Sequence, residues 1–160
     1  MKLKPLKENQ LHHLLNETEF NSEVTFCAGS IPPKHVLQRS HDHVESSKAE
    51  IWSLPYMMLL NENVVGFCGF KDEPRNHAVE IGYNVSPEQQ GKGFAKVAVH
   101  QLCKIAFDSG SVQQVVALVS PTNLASLNVV KANSFICEGV VEGDDNEDLQ
   151  MWILNLVSCT

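Results

Sequence analysis

The stretch from Ala78 to Ala95 restricts the possible folds more than any other part of the 160-residue sequence. In Ala78–Val85, Val79, Ile81, Tyr83 and Val85 point one way, and Ala78, Glu80, Gly82 and Asn84 the other. A period of two with one apolar face predicts a strand. Ser86-Pro87 ends it, Gln90-Gly91-Lys92-Gly93 makes a glycine-rich turn, and from Phe94 the period becomes helical. Phe94, Val97, Ala98, Leu102, Ile105 and Ala106 form the predicted buried stripe, opposite a wet face of Lys96, His100, Lys104 and Asp108. Strand, turn and helix N-terminus together make an anion site, because the first helical amides lack internal partners and the dipole favours negative charge. Gly91 and Gly93 have no side chain to obstruct a phosphate, Ala95 is small, and Lys92 and Lys96 add positive charge.

Around this segment the other elements fall into place. Residues 8–17 carry helical signals with Leu11, Leu14 and Leu15 on one side, and Pro32-Pro33 opens a second helix running toward Ser47. Asn21–Ile31 between them is expected to be a loop. Trp52–Leu60 and Val64–Phe70, split by Asn61-Glu62-Asn63, predict a hairpin, and Lys71–Asn76 the loop after it. Ser109-Gly110 stops the long helix, and Val115–Val119 is apolar throughout, as expected of a central strand covered on both faces. Pro121-Thr122-Asn123 opens a helix ending near Asn133; Phe135–Val141 and Leu149–Leu156 are strands around the acidic turn Glu142–Asp148. The order predicts an α/β fold: a mixed, mostly antiparallel sheet of about six to seven strands with about four flanking helices.

Composition narrows the function classes. Twelve basic against nineteen acidic residues give a formal charge of −7, and no basic patch offsets it, which argues against nucleic acid. No apolar run approaches the roughly 20 residues of a membrane helix. Cys27, Cys68, Cys103, Cys137 and Cys159 are widely spaced and form no CxxC pair, so neither a zinc ribbon nor a disulfide framework is indicated. Cys68, Cys103 and Cys137 sit in apolar runs and read as buried. The chain is expected to be cytoplasmic, a monomer or a homodimer, and to bind no metal. His41 and His43 are two apart on a helix and point apart, and Glu142–Asp148 lacks the alternating ligands of a calcium loop. Trp52, Tyr56 and Trp152 fit either the core or the walls of a pocket.

Other phosphate motifs fail on residue identity. A P-loop needs Gly-Lys-Ser/Thr where Gly93 is followed by Phe94, and the dinucleotide fingerprint needs a third glycine. Gln90-Gly91-Lys92-Gly93-Phe94-Ala95 instead resembles the Arg/Gln-x-x-Gly-x-Gly/Ala signature of the GNAT N-acetyltransferase superfamily. Glu80-Ile81-Gly82-Tyr83 is similar to that family's fourth strand. Asn123-Leu124-Ala125-Ser126 and Lys131-Ala132-Asn133-Ser134-Phe135 are similar to its Asn-x-x-Ser helix and Lys-x-x-Gly-Phe close. The resemblance covers roughly residues 52–156, read as the cofactor-binding core of a single domain over 1–160, with 1–50 a variable helical region on the acceptor side.

The resemblance implies acetyl-CoA as co-substrate and an amine as acceptor, on a small molecule or a protein N-terminus. Gln90, Gly91, Lys92, Gly93, Phe94 and Ala95 would hold the pyrophosphate. The strand end Tyr83, Asn84 and Val85 would pair with the pantetheine arm, Asn123 would contact it, and Ser126 would lie near the sulfur. Relatives that protonate the departing thiolate with a tyrosine carry it where this chain has Val130, so Ser126 or water takes that role. At the close, Ser134 replaces glycine, and Asn133 is expected to supply the left-handed turn. An attacking amine must lose a proton, since an alkylammonium of pKa ~10 has no lone pair at neutral pH. Glu80 is the candidate base, through water and with its pKa raised by burial; otherwise it orders a loop. A strand amide near Val85 is the candidate donor to the acetyl oxygen. Loss of the tyrosine leaves a second reading, a non-catalytic acyl-CoA-binding module.

Overall fold

A computed structural model describes residues 1–18 and 23–157. The first residues of the predicted loop at 21–31, and Cys159, lie outside the described residues. In chain order the elements are β1 (Lys2–Pro5), α1 (Glu8–Leu15), β2 (Thr25–Phe26), α2 (Lys34–Glu45), α3 (Glu50–Ser53), β3 (Tyr56–Leu60), β4 (Asn63–Phe70) and β5 (Ala78–Val85). Then come a 3-10 turn at Pro87–Gln89, α4 (Phe94–Asp108), β6 (Gln114–Val119), α5 (Leu124–Ala132), β7 (Ile136–Glu142) and β8 (Asp148–Asn155). The eight strands form one sheet in the order β1-β3-β4-β5-β6-β8-β7, with β2 added to β4. Pairing is antiparallel except for β5 with β6 and β2 with β4. The mixed α/β sheet is the architecture expected, with β2 and the single-turn α3 as additions.

Three boundaries differ from the expectation, each for a local reason. Trp52 and Ser53 are helical, and the strand starts only at Tyr56. Pro55 forces Leu54 into extended backbone (ψ 132) and so separates helix from strand. The predicted loop contains β2, whose Thr25 and Phe26 lie beside Asn63 and Val64. At the close of α5 the left-handed residue is Ser134 itself (φ 66), while Asn133 has φ −98.

The main core lies between the sheet and helices α4 and α5. On α4 the fully buried residues are Ala98, Val99, Leu102, Cys103 and Ala106. Val97, expected in the stripe, is 41% exposed, because it lies on the far side of the helix from the centre of that arc. Trp52, Tyr56 and Trp152 are all core residues, each at most 8% exposed. Trp52 meets Phe70 edge to face at 4.8 Å. Cys68 and Cys103 are buried, and burial pushes both thiols up, Cys103 to about 12. Cys137, expected inside, is exposed, because β7 is the last strand of the sheet and little covers it.

Candidate functional site

The site begins where the sheet opens. β5 and β6 are paired only at Ala78↔Gln114, Val79↔Val115 and Glu80↔Val116. Beyond Glu80, β5 stays with β4 as far as Val85, and β6 stays with β8 as far as Val119. The edges of Ile81–Val85 and Ala117–Val119 that face each other therefore have no strand partner among the described residues. A bulge in β4 accompanies this opening: the β3–β4 register slips between Met58 and Leu59. Bulges sharpen local twist. Gly66 lies at that bulge, pressed onto β5 so closely that a Cβ would stand 2.2 Å from the Asn84 carbonyl oxygen.

Between the diverging strands lies a cleft of about 510 Å³, lined in part by Tyr83, Asn84, Val119, Asn123 and Ser126. That volume falls within the roughly 300–1,000 Å³ of small-molecule sites. The Tyr83 hydroxyl crosses the cleft and donates to the Ser126 carbonyl at 3.3 Å; burial holds its pKa above the ordinary tyrosine value, opposed by that hydrogen bond. Asn123 caps α5, its Oδ1 accepting from the Ser126 amide at 3.1 Å. The Asn84 side chain turns to the other side and donates to the Ser30 carbonyl at 2.7 Å, tying β5 to the segment that leads into α2.

The glycine-rich turn lies next to this cleft and outside its lining. Gln90 Nε2 donates to the Val85 carbonyl at 3.2 Å, fastening the turn to the strand end. Gly91 (φ 75) and Gly93 (φ 84) are left-handed, and a Cβ on either would meet nothing within 4 Å. The first α4 amide to reach a backbone carbonyl is that of Val97, to Gly93 at 3.2 Å. The amides of Phe94, Ala95 and Lys96 are thus left open at the positive end of a 15-residue helix. Phe94 contributes only its amide there, since its ring packs against the main core. Lys92 is held by Gln89 at 3.0 Å, and Lys96 is exposed. Asn133 bridges the Lys96 carbonyl (3.1 Å) and the Val129 carbonyl (3.0 Å), so α5 and the start of α4 are locked together.

Glu80 is not isolated on its strand face. Its Oε1 lies 2.5 Å from Lys71 Nζ, with the two side chains 32% and 35% exposed. The Lys71 chain also covers the space expected to be open over Gly82, its Cε 3.5 Å from where a Cβ would stand. Val130 is completely buried and contributes packing alone. Three side chains at the site are not legible in the sequence: Lys71 beside Glu80, the Tyr83 hydroxyl beside Ser126, and Arg39 in the cleft wall. The Lys71–Glu80 pair spans a loop of irregular backbone, where residue spacing carries no contact information.

His41 approaches Asp42 and Glu45, whereas His43 approaches Asp72, all at 3.9 Å. Among the described residues no three His, Cys, Asp or Glu side chains could hold a metal, and no helix is long and apolar enough to cross a membrane.

Fold and site define an α/β protein whose sheet parts beside a glycine-rich helix N-terminus. Residues 1–136 match the acetyltransferase (GNAT) domain family model, and the chain belongs to that family. The match includes the first fifty residues, which the sequence motifs did not reach. The chain is 36% identical over 81 residues to the uncharacterized N-acetyltransferase p20 of Bacillus licheniformis, covering 50% of this chain and 46% of that protein. It is 30% identical over 88 residues to the ribosomal-protein-serine acetyltransferase of Escherichia coli, covering 54% and 49%. The matched segments thus span about half the length of these curated relatives. Among solved structures, an aminoglycoside acetyltransferase in complex with coenzyme A superposes with a TM-score of 0.68 at 20% identity, covering 96% of this chain and 94% of that one. A chimera of the spermidine N-acetyltransferase SpeG from Vibrio cholerae and hSSAT gives 0.69 at 15% identity, with the same coverage.

Proposed function

We propose that this protein is an acetyl-CoA-dependent N-acetyltransferase that delivers the acetyl group to a primary amine by direct attack, with both substrates bound together. The observation that carries the reading is the parting of β5 from β6 next to the open amides at the start of α4. One end suits a pyrophosphate: free amides, a helix dipole, and two glycines whose missing side chains leave the space empty. The other suits an amide-containing arm, because the unpaired edge of Tyr83–Val85 can accept it as an added strand. Family membership supports the same ligand.

In this reading Gln90–Ala95 hold the pyrophosphate, and Tyr83, Asn84, Val85 and Asn123 line the arm. Acetyl-CoA supplies an activated thioester carbonyl. A β5 amide near Val85 donates to its oxygen. Glu80, oriented by Lys71, takes the proton from the acceptor ammonium through water. The departing sulfur is protonated by Ser126, or by the β5 Tyr83 hydroxyl that donates to the Ser126 carbonyl. Residues 1–50 shape the acceptor side of one domain whose core is 52–156. The ribosomal-protein-serine relative supports a protein acceptor, which we take to be an N-terminus; the structural neighbours support small amines. The four cysteines among the described residues are unpaired, which supports a cytoplasmic location.

The test is free-thiol release from acetyl-CoA with purified protein and a panel of amines, including spermidine, an aminoglycoside and peptides with N-terminal serine. The expected result is release that requires an acceptor and equals the acetylated product formed. Tight CoA binding without release on any acceptor would instead establish the binding-module reading, which Val130 in place of a tyrosine favours. An acetylated protein formed without acceptor would overturn direct attack.

A further inference from the structure

The wall of the cleft formed by α2 carries a charge that the proposed reaction does not use. His35, Val36, Arg39 and Ser40 from this helix line the cleft. The sequence contains two arginines, Arg39 and Arg75. Arg75 pairs with Asp72 at 2.9 Å, and Asp72 also holds Lys48 at 2.6 Å. Arg39 is half-buried and forms no ion pair or hydrogen bond with any described residue, in a chain with nineteen acidic side chains. The other cleft-lining cation, Lys71, is neutralised by Glu80. Asp144 of the β7–β8 turn also lines the cleft, and it pairs with no cation there.

We infer that the acceptor amine carries a compact anionic group, carboxylate or phosphate, and that Arg39 is the residue that recognises it. The inference rests on the transferase reading of this cleft and specifies the acceptor's chemistry. A guanidinium presents five donors in a rigid planar fork that matches carboxylate and phosphate oxygens two at a time. Held half out of water with no side-chain partner among the described residues, it gains most from a ligand that supplies one. The arrangement is also oriented. Asn84, on the same face of β5 as Glu80, reaches toward the segment leading into α2. Lys71, Gly82 and Asn84 line the cleft together with Arg39, while Glu80 lies outside the lining, paired with Lys71 at its margin. An acceptor with an amine at one end and an anion at the other meets a complementary group at each. A polycationic amine would place its further charges against Arg39.

The experiment measures binding and turnover separately, on the full chain with saturating CoA or acetyl-CoA. The matched probes are β-alanine against β-alaninamide for the carboxylate, and O-phosphoethanolamine against ethanolamine for the phosphate. Calorimetric affinity and thiol release are determined for wild type, Arg39→Gln and Arg39→Lys. The expected result is a preference of about tenfold or more for one anionic member, as for a charge-assisted hydrogen bond. Arg39→Gln should abolish it, and Arg39→Lys should retain part of it, since charge survives and the fork does not. The pair showing the preference identifies carboxylate or phosphate as the anion. Equal affinity within both pairs, or a preference unchanged in Arg39→Gln, overturns the inference even where turnover is robust. A larger loss of CoA affinity than of anion preference in Arg39→Gln also overturns it, by assigning Arg39 to the cofactor. An Arg39-dependent preference in binding with no thiol release sustains the anion site, and the transferase reading is then refuted only if the wider amine panel also gives no release.

Discussion

Glu80 and Lys71 illustrate how a side chain's role depends on a neighbour that residue spacing does not reveal. The alternation in β5 is enough to put Glu80 on the face of Gly82 and Asn84. The loop 71–77 then folds back so that Lys71 reaches the carboxylate at 2.5 Å. An ion pair this exposed contributes little to stability, so Glu80→Gln should leave the fold intact. Turnover should fall roughly 10²-fold or more with CoA affinity nearly unchanged, as measured by steady-state rates beside calorimetry. A variant with full turnover would leave Glu80 as a loop-ordering residue. The proton donor is decided in the same way. Ser126→Ala and Tyr83→Phe each remove one hydroxyl from the cleft, and the variant with the larger drop in kcat at unchanged KM identifies the acid. Equal, negligible effects would assign that proton to water.

At the scale of elements, legibility follows periodicity. β5 has the boundaries that its alternation implies, and α2, α4 and α5 begin where Pro33, Gly93 and Asn123 place them. Strand β2 was invisible because two residues have no period, and Trp52 was misplaced because an apolar run without alternation fits helix and strand alike. The opening between β5 and β6 is a property of pairing, which no single strand's sequence states. Two substitutions test the element-level account. Leu102→Ala, on the fully buried face of α4, should cost about 2–5 kcal/mol in urea unfolding. Asn133→Ala removes the bridge from α5 to the Lys96 carbonyl. It should cost about 1 kcal/mol and weaken CoA binding, because the open amides of α4 would lose their support. Unchanged CoA affinity in that variant would show that the two helices are held together by apolar contact alone.

For the molecule as a whole, two titrations set the response to acid. His43 has its pKa lowered from the ordinary 6.5 by burial first, then by Lys48, with Asp72 opposing. Asp72 is lowered from 3.8, chiefly by its hydrogen bond from Lys48. In both cases the unfolded chain takes up the proton first, so stability is present above the unfolded value and is lost as pH falls from it through the folded one. Chemical unfolding across pH should show one loss beginning near the ordinary histidine value and a second below the ordinary carboxylate value. His43→Gln should remove only the first. A first step that persists in that variant would assign it to another group.

The account stands on Gln90–Ala95 and the parted strands being a single site for acetyl-CoA. Calorimetric titration of acetyl-CoA into wild type and Gly93→Val tests it most directly, with the fold of each checked by thermal unfolding. No neighbour lies within 4 Å of a Cβ at position 93, so the added β-carbon meets no protein atom there; the left-handed backbone (φ 84) adds strain, which the unfolding check reads separately from the phosphate space. Wild type should bind one acetyl-CoA per chain, and the folded variant should bind at least about tenfold more weakly, a difference of about 1.4 kcal/mol. Equal affinity in the two proteins, or no binding to the wild type, would contradict the account.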